Sequence, residues 1–212
     1  MEAAGSKKDG GEPASAGGRR TTREALKSAL YEASFVVLGV VLAYSANEWH
    51  NARSRAQDAA YALSTIVDEL ETNRAALDEA YGYHASLLEL LHGEHEEGWQ
   101  PDVRQFSRGF VAPARLSHTA WQSASETGAL TEMEFEQVVG LSGAYASLAR
   151  YDAQALQVGE LMYAELLRRG PHGLVANHQN LASVISTFVY RERQLLDELE
   201  ATIAESRARS SE

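Results

Sequence analysis

The densest cluster of groups able to do chemistry is His92-Gly93-Glu94-His95-Glu96-Glu97, with two imidazoles and three carboxylates in six residues. A zinc-like cation needs neutral imidazoles converging on one point, and His92 and His95 share a face if the segment is helical. Gly93 lies between them, however, and the spacing is not His-Glu-x-x-His, whose two histidines meet a metal from one helix face. The segment therefore reads as a solvated acidic loop at a helix end. His92 and His95 are weak candidate metal ligands, and no cofactor is assigned. His172 and His178 are six apart in a loop and offer less. Ser117-His118-Thr119 places a hydroxyl beside an imidazole, yet neighbours in sequence do not make a triad, and no nucleophile elbow is present. There is no glycine-rich phosphate loop. No catalytic residue is assigned, and the chain does not read as an enzyme. The absence of cysteine excludes disulfides, thiolate zinc sites and thiol chemistry.

Charge narrows the partners. After residue 46 the chain carries 25 acidic and 13 basic side chains, so a phosphate backbone would be repelled and nucleic acid is not an expected partner. The pattern of apolar residues is helical throughout, with no strand-like alternation of useful length. Ala60, Leu63, Val67, Leu70, Arg74, Leu77, Tyr81, His84, Leu88 and Leu91 alternate by three and four, a heptad seam that predicts one long helix with coiled-coil-like packing, ending near Gly93. Gly82 is a place where it could kink. Two polar residues interrupt the seam. His84 reads as a packed histidine, and Arg74 as the partner of an acid on a facing helix or as a residue at a wet part of the bundle.

Glycines and prolines punctuate residues 93–117, with room for a short helix over Val103–Val111. Thr119–Thr127 reads as a short helix closed by Gly128 as a left-handed cap. Thr131-x-x-Glu134 has the form of a capping box opening a helix to about Arg169, where Gly170-Pro171 stops it. A last helix spans about Gln179–Ala208. The expected fold is all-α: a single N-terminal transmembrane helix continuing into a long helix, then an antiparallel bundle of three or four main helices.

The transmembrane expectation rests on Ala33–Ala46, 14 residues without a charge in a chain that is 23% charged. At about 1.5 Å per residue such a stretch covers about 21 Å of a ~30 Å hydrocarbon core. Extending it to Ala29–Trp49 reaches the required length and admits Glu32, Asn47 and Glu48. Tyr31, Tyr44 and Trp49 fall near the ends, as interfacial aromatics do. A cleaved signal fits less well, because the region before the apolar stretch is far longer than a usual n-region. A buried core helix is the remaining alternative. Lys7, Lys8, Arg19, Arg20, Arg23 and Lys27 precede the stretch, and only Arg53 and Arg55 closely follow it. That bias predicts a single-pass inner-membrane protein with its N-terminus in the cytoplasm and its bundle in the periplasm. The expected organisation is a disordered tail over 1–24, the span over 25–49, the bundle over 50–208 and a disordered end over 209–212. Gly39, Ala43 and Ala46 put small residues on one face of the span, and Glu32 lies a turn inside its limit. These four are candidate helix–helix contacts.

Two short motifs carry a resemblance. Asn47-Glu48-Trp49 closes the apolar stretch, and Ala120-Trp121-Gln122 leads to Thr127-Gly128-Ala129-Leu130, with Tyr145 on the helix beyond. In these the chain resembles a bacterial family of N-terminally membrane-anchored all-helical proteins of unknown function. The resemblance covers most of residues 30–150 and implies a topology but no activity. The expected function is a membrane-anchored interaction or scaffolding protein of the cell envelope, partnered by itself or by another envelope protein. A ligand-sensing bundle acting through a partner is the alternative, and a metal-dependent enzyme a third.

Overall fold

The computed structural model describes residues 18–210. Among them the chain is all-α, with no strand. Helix α1 spans Gly18–His92, α2 Thr119–Thr127, α3 Phe135–Ala176 and α4 His178–Ser210. Helix α1 thus begins inside the segment expected to be a disordered tail, and α4 runs two residues past the expected end of the bundle. Arg209 is held there by Glu205, Glu134 and Glu136. Residues 1–17 and 211–212 lie outside the described residues. Two compact units divide between Arg53 and Ser54.

In the first unit α1 exposes every side chain described from Leu30 to Trp49, including Phe35, Val37, Val40 and Leu42. Ser34 turns its hydroxyl back on the Leu30 carbonyl at 2.7 Å, so its polar group is satisfied within the helix. From Leu30 onward α1 is long and apolar enough to cross a membrane, and none of its most apolar window is buried in the protein. A buried core helix is therefore not its role within this chain.

The second unit is built on α1, α3 and α4. Ile66, Leu70 and Leu77 of α1 meet Leu141 and Leu148 of α3 and Phe188, Leu195 and Leu199 of α4 in one cluster. Leu87 and Leu91 meet Val175, Leu181 and Ile185 in a second, which takes in Phe106 from the connecting segment. Fully burying a side chain of this size stabilises by ~1.5–3 kcal/mol. Helix α4 runs antiparallel to α1, as the Arg207–Glu71 (2.5 Å) and Arg74–Glu200 (3.6 Å) ion pairs require. Arg74 thus finds an acid on a facing helix, at an exposed site where such a pair contributes little.

The buried stripe of α1 is a heptad, but one position differs from the expected seam. Leu70, Leu77, His84 and Leu91 are shared, whereas Asn73, Ala80 and Leu87 are buried in place of Arg74, Tyr81 and Leu88. Of these pairs, only Ala80/Tyr81 offers a choice by apolar size, and the sequence pattern takes the larger Tyr81. The fold instead buries Ala80, and it uses Asn73 where the Ser117 backbone needs a polar partner.

Other local differences have local causes. Helix α1 is continuous through Gly82. Val103–Gln105 forms only a single 3-10 turn, capped by Asp102, because the chain then turns Phe106 into the core. Gly128 closes α2 at φ +78°, as expected of its residue type. The Thr131/Glu134 capping box does not form. A 3-10 turn over Ala129–Glu132 intervenes, Thr131 donates its hydroxyl to the Gly128 carbonyl, and α3 starts without a side-chain cap. Gly170 breaks α3 at φ +67°, ψ 176°, after which the helix resumes at once from Pro171.

Candidate functional site

Helix α1 and α3 run in the same direction, since Arg55 pairs with Glu132 at one end and Leu91 lies in a cluster with Val175 at the other. The strap, residues 93–118 between α1 and α2, must therefore return along the bundle. Its backbone crosses partly buried ground without regular structure, where unpaired N–H and C=O groups are costly. Side chains from α1 and α3 satisfy them in turn. Tyr83 donates its hydroxyl to the Gly109 carbonyl at 2.6 Å, and the Ala112 N–H donates to His84 Nε2 at 3.1 Å. The Ala114 N–H donates to the Tyr151 hydroxyl at 3.0 Å. The Asn73 amide accepts from the Ser117 N–H and donates to its carbonyl, both at 2.8 Å. The Ala120 N–H, in the first turn of α2, donates to Glu69 at 3.0 Å. From Ala112 through Ser117 to Ala120 the partners on α1 fall from His84 through Asn73 to Glu69, so the strap is pinned antiparallel to α1.

The centre of this system is a fully enclosed triad, His84, Glu192 and Tyr151. His84 and Glu192 are 0% exposed and Tyr151 only 3%, so no substrate reaches them. Because Nε2 of His84 accepts from Ala112, the ring hydrogen sits on Nδ1, which donates to the Glu192 carboxyl at 2.9 and 3.0 Å. Tyr151 donates to the same carboxyl at 2.6 Å. Burial and then the neighbouring Glu192 push the Tyr151 phenol well above its usual range, so it remains a donor. Phe188 packs against both rings. One carboxyl thus joins α1, α3, α4 and the strap.

A second carboxyl, Glu69, does the same for α2. It accepts from Ser117 Oγ (2.5 Å), Tyr145 OH (2.6 Å) and the Ala120 N–H, and it stands where a helix N-terminus favours negative charge. Burial pushes its carboxyl up, but hydrogen bonds from Ser117, Tyr145 and the Ala120 and Trp121 N–H groups outweigh this and hold it below its ordinary value of 4.5. A carboxyl depressed in the folded state contributes stability that is complete above its unfolded value and lost as pH falls through the folded one. Glu69→Gln is therefore expected to lower Tm at neutral pH by roughly 2–4 °C, the shift of about 1 kcal/mol in a domain this size. The loss of Tm on acidification below about pH 4.5 should also be shallower than in the wild type. Parallel Tm–pH curves for the two proteins would refute this role.

The other sequence candidates are dispersed. His95 donates Nε2–H to the Leu90 carbonyl (2.7 Å), closing the end of α1, and stacks flat on Trp99. His92 is exposed, and among the described residues no three potential ligands gather into a metal-binding group. Ser117 turns to Glu69, whereas His118 turns to Asp152 at 2.8 Å. They share no proton path. His172 is exposed, and Nδ1 of His178 is a buried nitrogen without a partner. Glu32, Gly39, Ala43 and Ala46 are all exposed on α1.

Two surface grooves accompany the strap. One of about 1020 Å³ lies between α1 and α2, lined by Asp58, Thr65, Asp68, Thr127 and Glu132 among others. The other, of about 890 Å³, lies between the strap, α1 and α3 and is largely apolar, with Ala76, Phe110, Met162 and Leu166 in its walls. Comparison with protein-family models, with curated proteins and with solved structures returned no match. The functional reading therefore rests on the chain's own geometry.

Proposed function

We propose that the chain is a single-pass membrane-anchored protein whose helical bundle lies outside the cytoplasm and works by interaction, self-association first. The unburied apolar stretch of α1 carries this reading. In water it would leave seven large aliphatic and aromatic side chains between Phe35 and Leu42 more than half exposed, a surface that a bilayer covers. The excess of basic residues before it supports a cytoplasmic N-terminus.

The outer face of α3 supports self-association. Phe135, Val139, Leu156, Tyr163 and Leu167 are between 52% and 88% exposed where a solvated helix would carry charge. Small residues Ser142, Ala146, Ala149 and Ala153 fill a spacing of threes and fours from Phe135 to Leu156, and exposed Glu160 is the one charged member before Tyr163. A heptad stripe of this kind packs against a like stripe. Two copies in one bilayer meet in the same orientation, so each layer faces its own equivalent, and small residues let the helices approach closely.

The cysteine-free chain permits a direct test. With Ala60→Cys, Arg20→Cys and Ala149→Cys made one at a time, a membrane-impermeant maleimide applied outside the cell membrane should label position 60 and spare position 20. Mild oxidation should link the Ala149→Cys chains into a covalent dimer. A soluble chain, or labelling of position 20 in place of 60, overturns the anchor. An Ala149→Cys chain that stays monomeric overturns the self-association.

A further inference from the structure

We infer that the groove beneath the strap is a binding site for a single-chain amphiphilic carboxylate, an alkyl chain ending in one negative charge. This goes beyond the anchored-interaction reading and stands or falls separately from it. The groove exists because small residues meet on all three walls: Ala76 and Ala80 on α1, Ala112 and Ala114 on the strap, and Ala155 and Gly159 on α3. Larger apolar residues, Phe110, Met162, Leu166 and Leu174, line the space that these leave. At about 890 Å³ it falls within the ~300–1,000 Å³ of small-molecule sites, which are mostly apolar with a few placed polar groups.

The strap wall is fixed in advance. His84 holds the Ala112 N–H and Tyr151 holds the Ala114 N–H, so two of the wall residues are pinned to the buried triad. A preformed wall spares a ligand the cost of ordering it.

The charged lining selects an anion. Its charged side chains are Arg108, Arg115 and Glu79. Arg108 is placed by Glu79 at 3.0 Å and lies over the Tyr83 ring at 5.3 Å. Arg115 is exposed and makes no ion pair among the described residues. The groove is thus net positive on a chain whose formal charge is −11, so it is a local attractor for a negative headgroup. A guanidinium grips a carboxylate through two parallel hydrogen bonds, and the apolar walls take the chain.

The test uses the full chain in nanodiscs of zwitterionic lipid and a sixteen-carbon carboxylate carrying a photoreactive diazirine midway along its chain. Mass spectrometry should place the label on the strap over 108–115 or on α3 over 155–166. Unlabelled sixteen-carbon carboxylate should compete, and the matching alcohol should not. Gly159→Leu should fill the groove and reduce the labelling at least tenfold. A side chain at 159 starts in open space, so this variant should remain folded, with an unchanged Tm as the check. Arg115→Gln should weaken labelling several-fold and leave Tm unchanged. Label confined to residues 30–49, label undiminished by Gly159→Leu, or equal competition by the alcohol would overturn the proposal. Groove labelling by a diacyl phospholipid probe that free carboxylate does not displace would also overturn it, since the occupant would then be a bilayer lipid. Loss of membrane anchoring alone would leave the expected groove labelling intact.

Discussion

Replacing Glu192 with leucine should lower the melting temperature of the bundle by on the order of 10 °C. The substitution removes the acceptor of two buried donors, the Tyr151 hydroxyl and His84 Nδ1–H. Leaving each unsatisfied costs ~1–3 kcal/mol, so the total is about 3 kcal/mol, and each kcal/mol moves Tm by ~2–4 °C in a domain of this size. His84 cannot escape by moving its hydrogen to Nε2, because Nε2 faces the Ala112 N–H. The same constraint makes Glu192→Gln informative. Its amide oxygen can serve Tyr151 and the imidazole, but its NH₂ then meets the Nδ1–H, so an intermediate loss is expected. Thermal unfolding of the full chain in mild detergent, followed by circular dichroism, measures both. Hydrogen exchange at Ala112 and Ala114 should accelerate in parallel, since the pins that hold the strap are weakened. A leucine variant as stable as the wild type would mean that the triad does not hold the strap, and that apolar packing offsets its loss.

Why this triad was not legible in the sequence is instructive. Glu192 stands between Arg191 and Arg193, which makes it look like one member of a solvated charge run. Its position relative to Phe188, Leu195 and Leu199 tells otherwise: the four share the apolar face of α4, and the other three are buried. Asn73 between Leu70 and Leu77 carries the same signal. A polar residue in register with a core stripe is a marker of a buried network, because such a residue is retained only where it is satisfied. The partners themselves cannot be read this way. Glu69 meets Tyr145 at 76 positions' separation and His84 meets Glu192 at 108, and local periodicity carries no information at that range.

What local chemistry decides was legible. The bounds of α2, the end of α1 beside Gly93 and the break at Gly170 follow from capping, glycine and proline, and they lie where those residues put them. The Thr131/Glu134 box failed because a local motif competes with tertiary demands. The Gly128 turn takes the Thr131 hydroxyl, and Arg209 of α4 takes Glu134. The seam of α1 was displaced for a related reason. Apolar size marks the face of an isolated helix, whereas here the strap lies along α1 and claims Asn73 as a partner of the Ser117 backbone.

The double substitution Leu38→Arg with Val41→Arg should move the chain out of the membrane fraction. Each arginine at the centre of a spanning helix costs ~2.5–3.5 kcal/mol on insertion scales, so two cost about 5–7 kcal/mol. The uncharged stretch is 14 residues long, too short to slide both charges to an interface while keeping its remainder in hydrocarbon. Tyr61→Arg, at an exposed position beyond the stretch, should leave the distribution unchanged. Alkaline extraction of membranes followed by immunoblotting separates integrated from peripheral chains. The two core clusters draw their α1 residues only from Ala62 onward, so the bundle of the double variant should melt at the wild-type temperature. That control matters to the inference. A chain lost from membranes with its bundle intact has lost its anchor, whereas one lost through misfolding would show a lowered Tm. If the double variant stays integrated with the wild-type Tm, the apolar half of α1 is not what holds the protein to the membrane, and its exposed surface must be covered by another protein instead.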